Sequence, residues 1–234
     1  MENSFTEEEI KRNKKHNVRI YPFYKMFSLD FLFYYAITFI FLNNFKGFSA
    51  STILLADAFY PFFKMIFQIP CTVLIDKIGK RNSLIIGNIF MCIDILLMMG
   101  ANSFWVLVLS NLFFAIGFVL KYTIEHNILY DSLPKGEKRG KLFSKIEGFS
   151  SSSFYIIDAI CSALTGFLYV VNPYFPMTLC LLGCIIATII SYNFKHISYV
   201  HLERNRRWWY RCKWRKYWSN RKYKNIFKKL INSF

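Results

Sequence analysis

Ile75-Asp76-Lys77-Ile78-Gly79-Lys80-Arg81-Asn82 is a short charged stretch between two long apolar runs, near 50–74 and 83–100. A turn this tight between two helices needs a residue tolerant of unusual backbone angles, and Gly79 supplies it. Asp76 is expected to cap or pair at the helix boundary. Lys77, Lys80 and Arg81 mark the turn as cytoplasmic if the flanking runs cross a membrane, because positive loops stay inside.

The rest of the chain supports crossing. Apolar stretches lie near 23–44, 50–74, 83–100, 104–128, 149–171 and 174–194. Each is long enough, or nearly so, to span a hydrocarbon core of ~30 Å, which takes about 20 helical residues. The third is short, and the fourth carries charges near its end. The chain has 234 residues, 54% hydrophobic and 20% aromatic, with a formal charge of +16. Six such segments in a soluble protein would need a polar coat that little remaining sequence could supply.

The charge is segregated. Lys11, Arg12, Lys14, Lys15, Arg19 and Lys25 precede or open the first run. Lys135, Lys138, Arg139, Lys141 and Lys145 lie between the fourth and fifth, and Lys195, Arg204, Arg206 and Arg207 follow the sixth. The alternate connections, 43–51, 100–103 and 171–176, carry only Lys46. Both termini are therefore expected in the cytoplasm. The expected organisation is a cytoplasmic segment at 1–22, a six-helix bundle at 23–194 and a basic aromatic cytoplasmic tail at 195–234. The polar stretch ahead of the first run argues against a cleaved secretory leader.

Four short motifs occur in a telling order. The 75–82 turn resembles the G-x-x-x-D-R-x-G-R-R loop between helices two and three of the major facilitator superfamily, with Thr72 where the leading Gly would stand. Lys46-Gly47-Phe48-Ser49-Ala50 resembles an outer turn of bacterial members, and Gln68-Ile69-Pro70 a segment before the motif. Leu129-Tyr130-Asp131-Ser132-Leu133 resembles a segment of a bacterial drug-efflux-like subgroup. The resemblance covers roughly residues 20–195, the amino-terminal half of such a transporter. It implies an all-α membrane protein of six transmembrane helices as two inverted three-helix repeats, half of a twelve-helix fold. It also implies a cytoplasmic gating motif of Asp76, Gly79, Lys80, Arg81 and Asp131, with Asp131 a partner for Lys80.

Ionisable residues within the spans are the other candidates: Asp30, Asp57, Lys64, Asp94, Lys121, Glu125, His126 and Asp158. A charge at mid-membrane costs ~2.5–3.5 kcal/mol on insertion scales and usually faces the protein interior or a watery path. Lys121 and Glu125 are one turn apart and can pair. By the resemblance, helices one and four line the cavity, two and five flank it, and three and six lie outside. Asp30 and Glu125 thus rank first on a substrate or proton pathway, with Lys121, His126 and Asp158 behind them. Asp94 reads as a packed structural acid. For each residue a plain helix-to-helix hydrogen bond is the competing reading.

Cys71, Cys92, Cys161, Cys180 and Cys184 lie in apolar stretches and read as small hydrophobes. No zinc or disulfide spacing is present, no cofactor is implied, and no catalytic constellation suggests an enzyme. Small residues four apart, Ser162 with Gly166 and Gly183 with Ala187, suit close helix packing.

The tail interleaves Arg and Lys with Trp208, Trp209, Tyr210, Trp214, Tyr217 and Trp218. Tyr223, Ile226, Phe227, Leu230, Ile231 and Phe234 then form one apolar helical stripe. Three readings stay open: an anchor in the lipid headgroup layer, the start of a loop to a second half, and a nucleic-acid patch. The first is preferred, so lipid rather than nucleic acid is the expected partner there.

The expected function is transport of small solutes by alternating access, as an amino-terminal half or truncated transporter of the bacterial inner membrane. Its partners would be lipid, a small-molecule substrate, and a second six-helix half or a second copy. The alternative is a non-transporting bundle remnant or assembly partner.

Overall fold

A computed structural model describes residues 7–35 and 37–195, all in helices, turns and irregular backbone. Residues 11–196 form one compact unit; a second comprises 1–10 and 197–234, of which only 7–10 are described. The expected tail contacts lie outside the described residues.

The chain opens with α1 (Glu7–Ser28), whose first turn carries Glu7, Glu8 and Glu9, where the helix dipole favours acids. A three-residue helix, α2 (Thr38–Ile40), leads into a wide turn at Phe41–Phe45. The long helices are α3 (Ala50–Ile78), α4 (Lys80–Met99), α5 (Phe104–Ser132), α6 (Arg139–Val171) and α7 (Phe175–Tyr192). These five are long and apolar enough to cross a membrane. Ser49 starts α3 by accepting the Thr52 amide at 3.2 Å, satisfying a donor that the first turn leaves free. Gly79 separates α3 from α4 at φ +90°, a conformation that glycine adopts without steric penalty.

The expected first span, 23–44, is not one helix. Helical bonding stops after the Leu29 amide reaches the Lys25 carbonyl at 3.0 Å. Asp30 then accepts the next backbone amide, from Phe31, at 2.8 Å and the Tyr35 hydroxyl at 3.0 Å. A short acid that bonds its own neighbourhood gives the backbone an alternative to the helix. Phe33 follows at φ +64°, and the Thr38 amide restarts helical bonding on the Tyr34 carbonyl at 2.9 Å.

The fifth span also differs. The connection expected between the fourth and fifth runs shrinks to 133–138, because α6 begins at Arg139. Charges hid this helix from hydropathy, yet Phe143 and Ile146 pack on the core.

Packing is closest between α4 and α5. A Cβ at Gly117 would stand 2.9 Å from the Gly87 carbonyl oxygen, and one at Gly87 3.1 Å from that of Gly117. Side chains on either glycine would force the helices apart. By contrast α3 and α6 display apolar surface: Met65 is 69% exposed, Ile69 75%, Phe167 76% and Val170 85%. Such surface is costly in water but ordinary against lipid.

Candidate functional site

Tyr21, Lys25 and Ser28 recur at four- and three-residue steps, so α1 carries them on one face. All three are buried, and Lys25 is fully so. Its Nζ lies 3.0 Å from Glu125 Oε2 on α5 and 3.1 Å from Glu147 Oε1 on α6. Ser28 donates to the other Glu125 oxygen at 2.7 Å. Tyr21 donates to Glu147, and His126 Nδ1 stands 3.5 Å from the Glu147 oxygen that faces Lys25. A buried charge is tolerable only when paired and hydrogen-bonded, and here one cation joins three helices through two carboxylates. Tyr21 is buried and hydrogen-bonds Glu147 through its hydroxyl as a donor.

The one-turn spacing of Lys121 and Glu125 allows them to pair within α5. That pairing does not occur: Glu125 is taken by Lys25 and Ser28, which reach it from across the helix interface. Lys121 is buried one turn earlier on α5. Glu147 was not singled out, and Lys25 was read only as a topology marker. The Phe143 and Ile146 spacing was the available signal that Glu147 sits on a helix.

Asp30, half-buried, holds the Phe31 amide and Tyr35 hydroxyl described above. Asp158 is half-buried on α6 and near enough to Asp30 to interact electrostatically. Neither joins the Lys25 network. Asp94 is buried and accepts from the Ser110 hydroxyl, while its second oxygen has no partner.

At the motif turn, Lys80 pairs with Asp131. Arg139 Nη2 lies 3.9 Å from the other Asp131 oxygen, and its guanidinium stacks 3.8 Å from the Tyr130 ring centroid. Arg81 donates to the Tyr192 carbonyl at 2.6 Å, tying α4 to the end of α7. Asp76 does not cap or pair as expected; it is exposed on the last turn of α3. Gly79, free of any side chain, donates its amide to the Ile75 carbonyl at 3.0 Å and closes that helix instead.

Among the described residues, no group of three or more His, Cys, Asp and Glu is placed to hold a metal ion. The arrangement can do something else. A carboxylate shared by lysine, phenol and imidazole can lose one partner and keep the others, which is the chemistry a rearranging junction of α1, α5 and α6 requires.

Comparison with known proteins gives one family. The family described as the Major Facilitator Superfamily matches over residues 26–228. No curated protein and no solved structure matches the chain. The family match spans most of the chain and agrees with its five apolar, membrane-length helices. The chain is an integral membrane protein that belongs to the Major Facilitator Superfamily, a family of membrane transporters.

Proposed function

We propose that the chain acts as the amino-terminal six-span half of an alternating-access transporter for small solutes, with drug-like efflux as its subgroup. The broken segment from α1 to Phe45 counts as the first span, and the six spans form two inverted triplets. Such repeats commonly place substrate near the bilayer midplane, between two halves that rock about it. The second half comes from another six-span bundle or a second copy. Both termini lie in the cytoplasm of a bacterial cell, with 133–138 inside and 172–174 outside. Asp30, Glu125, Lys121, His126 and Asp158 serve the substrate or proton pathway, and Lys80 with Asp131 the cytoplasmic gate.

The observation that carries this reading is the buried junction of Lys25 with Glu125 and Glu147. A charge pair buried in protein where spans converge is costly and marks a pathway or moving contact more often than lipid-facing packing. The test is reconstitution of the full chain in liposomes, alone and with a six-span partner, against a panel of small solutes over a range of pH. Flux is expected, with a loss of about tenfold or more, ~1.4 kcal/mol or more in the barrier, for Glu125→Gln and Asp30→Asn. Absence of flux in every combination sinks the transport reading. Unchanged flux in both variants sinks the pathway assignment.

A further inference from the structure

Lys64 belongs neither to the Lys25 junction nor to the motif turn. It stands midway along α3, a helix of 29 residues, about 21 Å from either end at ~1.5 Å per residue. A lysine stem cannot carry its charge that far to a lipid headgroup. Its ammonium lies 4.3 Å from the centroid of Phe118 and 5.7 Å from that of Tyr60, within cation–π range of both. It forms no hydrogen bond and no ion pair with any described residue.

The acids at comparable depth are occupied or elsewhere. Asp57 accepts from the Asn111 amide at 3.4 Å, Asp30 from Phe31 and Tyr35, and Asp94 from Ser110. Asp158 stands on α6 and makes no bond to Lys64. Among the described residues no acid forms an ion pair with Lys64, and its ammonium is held directly against aromatic faces.

The rings continue along α5. Tyr60 meets Phe114 at 4.8 Å between centroids, Phe114 meets Phe118 at 6.1 Å, and Phe118 lies parallel to Tyr122 at 5.5 Å. Phe31 stacks on Phe114 from the broken first span at 5.3 Å. The surface offers flat π-faces beside one positive charge that no carboxylate contacts.

We propose that Lys64, with Tyr60, Phe114 and Phe118, forms a binding site for a planar aromatic anion such as an arene carboxylate or sulfonate. The anion neutralises the ammonium, and its ring extends the aromatic ladder. The proposal rests on the reading that this face lines the solute path, and it names the substrate class.

Equilibrium binding of radiolabelled 1-naphthoate to the purified full chain in nanodiscs tests it, with 1-naphthalenemethanol and 1-naphthylmethylammonium as neutral and cationic comparators. Saturable naphthoate binding is expected, with both comparators weaker by about tenfold, the worth of one charge-assisted contact. Lys64→Met should weaken naphthoate by about tenfold while leaving the neutral comparator and the thermal transition unchanged. Lys64→Arg should keep most of the affinity. Equal naphthoate binding by Lys64→Met, absence of saturable naphthoate binding, or preference for the cation overturns the site. Preference for the cation abolished by Asp30→Asn would do so while leaving the transport reading intact. Lys64-dependent naphthoate binding in a chain that moves no solute would uphold the site and sink the transport reading instead.

Discussion

Lys25 and Glu125 meet at 3.0 Å with side chains 0% and 1% exposed, joining α1 to α5 out of contact with bulk solvent. Removing the cation alone leaves two carboxylates facing each other. Lys25→Met should therefore cost ~3–5 kcal/mol, the range for breaking a buried pair from one side. Adding Glu125→Gln should return part of that loss, with a coupling of ~1–3 kcal/mol. Unfolding of the single and double variants in detergent measures both. Strict additivity would mean that the pair does not hold these helices together.

Lys80 and Asp131 pair where solvent reaches them. Their side chains are 41% and 30% exposed. Lys80→Ala or Asp131→Ala should change stability by ~1 kcal/mol or less, as exposed pairs do. Transport should fall by a much larger factor if the pair serves the gate. A melting shift beyond that range with flux unchanged would make the pair structural.

Gly117 tests the α4–α5 crossing. Gly117→Ala places a methyl 2.9 Å from a backbone oxygen and 3.2 Å from the Met91 amide. The expected cost is ~1–3 kcal/mol, the range for overpacking. Gly166→Ala meets nothing within 4 Å and should be neutral or slightly stabilising in its helix. Thermal melts of the two variants side by side give the comparison. Equal effects would show that the helices do not cross at these glycines.

Ser110 donates to a buried Asp94 whose second oxygen is already without a partner. Ser110→Ala removes the remaining hydroxyl and should cost ~1–3 kcal/mol, the penalty for an orphaned buried group. Asp94→Leu in the same background should recover stability, because no polar group is then left buried without a partner. A variant as stable as the parent would show that Asp94 finds another partner.

Orientation has its own assay. Asn172 and Lys138 are both exposed and lie at opposite ends of α6. In a cysteine-free background, Asn172→Cys should react with an impermeant maleimide added outside cells. Lys138→Cys should react only after permeabilisation. Labelling of both from one side would overturn the assigned topology.

The parts of the fold legible in sequence are those where hydropathy and secondary structure coincide. The runs that became α3, α4, α5 and α7 end within a few residues of their observed bounds. Hydropathy failed where polar chemistry decides the backbone. Asp30 sits in an apolar run and breaks it, a local hydrogen-bond choice that averaging over many residues erases. Glu147 sits among Arg139, Lys141 and Lys145, which look like a loop but continue α6 inward. The candidate site shows the same division. Gly79 follows from short local spacing, and the Lys80–Asp131 pair, 51 residues apart, from the family resemblance. The Lys25 junction needs three helices to converge, and no spacing within one helix reveals that. Lys121 shows the converse, since a one-turn spacing allowed a pair that the tertiary structure assigns elsewhere.

The interruption that begins at Asp30 and runs through Tyr35 has a consequence for the bilayer. Oily solvent offers peptide groups nothing to bond with, so a spanning chain must satisfy them itself. This segment leaves the helical ladder, using the Asp30 carboxylate and the Tyr34 carbonyl as local substitutes. Unwound backbone at that depth is tolerated only against protein or water. With this segment as the proposed first span, the unwound stretch requires protein or water against it rather than acyl chains. The apolar flanks of α3 and α6 would then be the surfaces that lipid meets, and the lipid shell would be uneven.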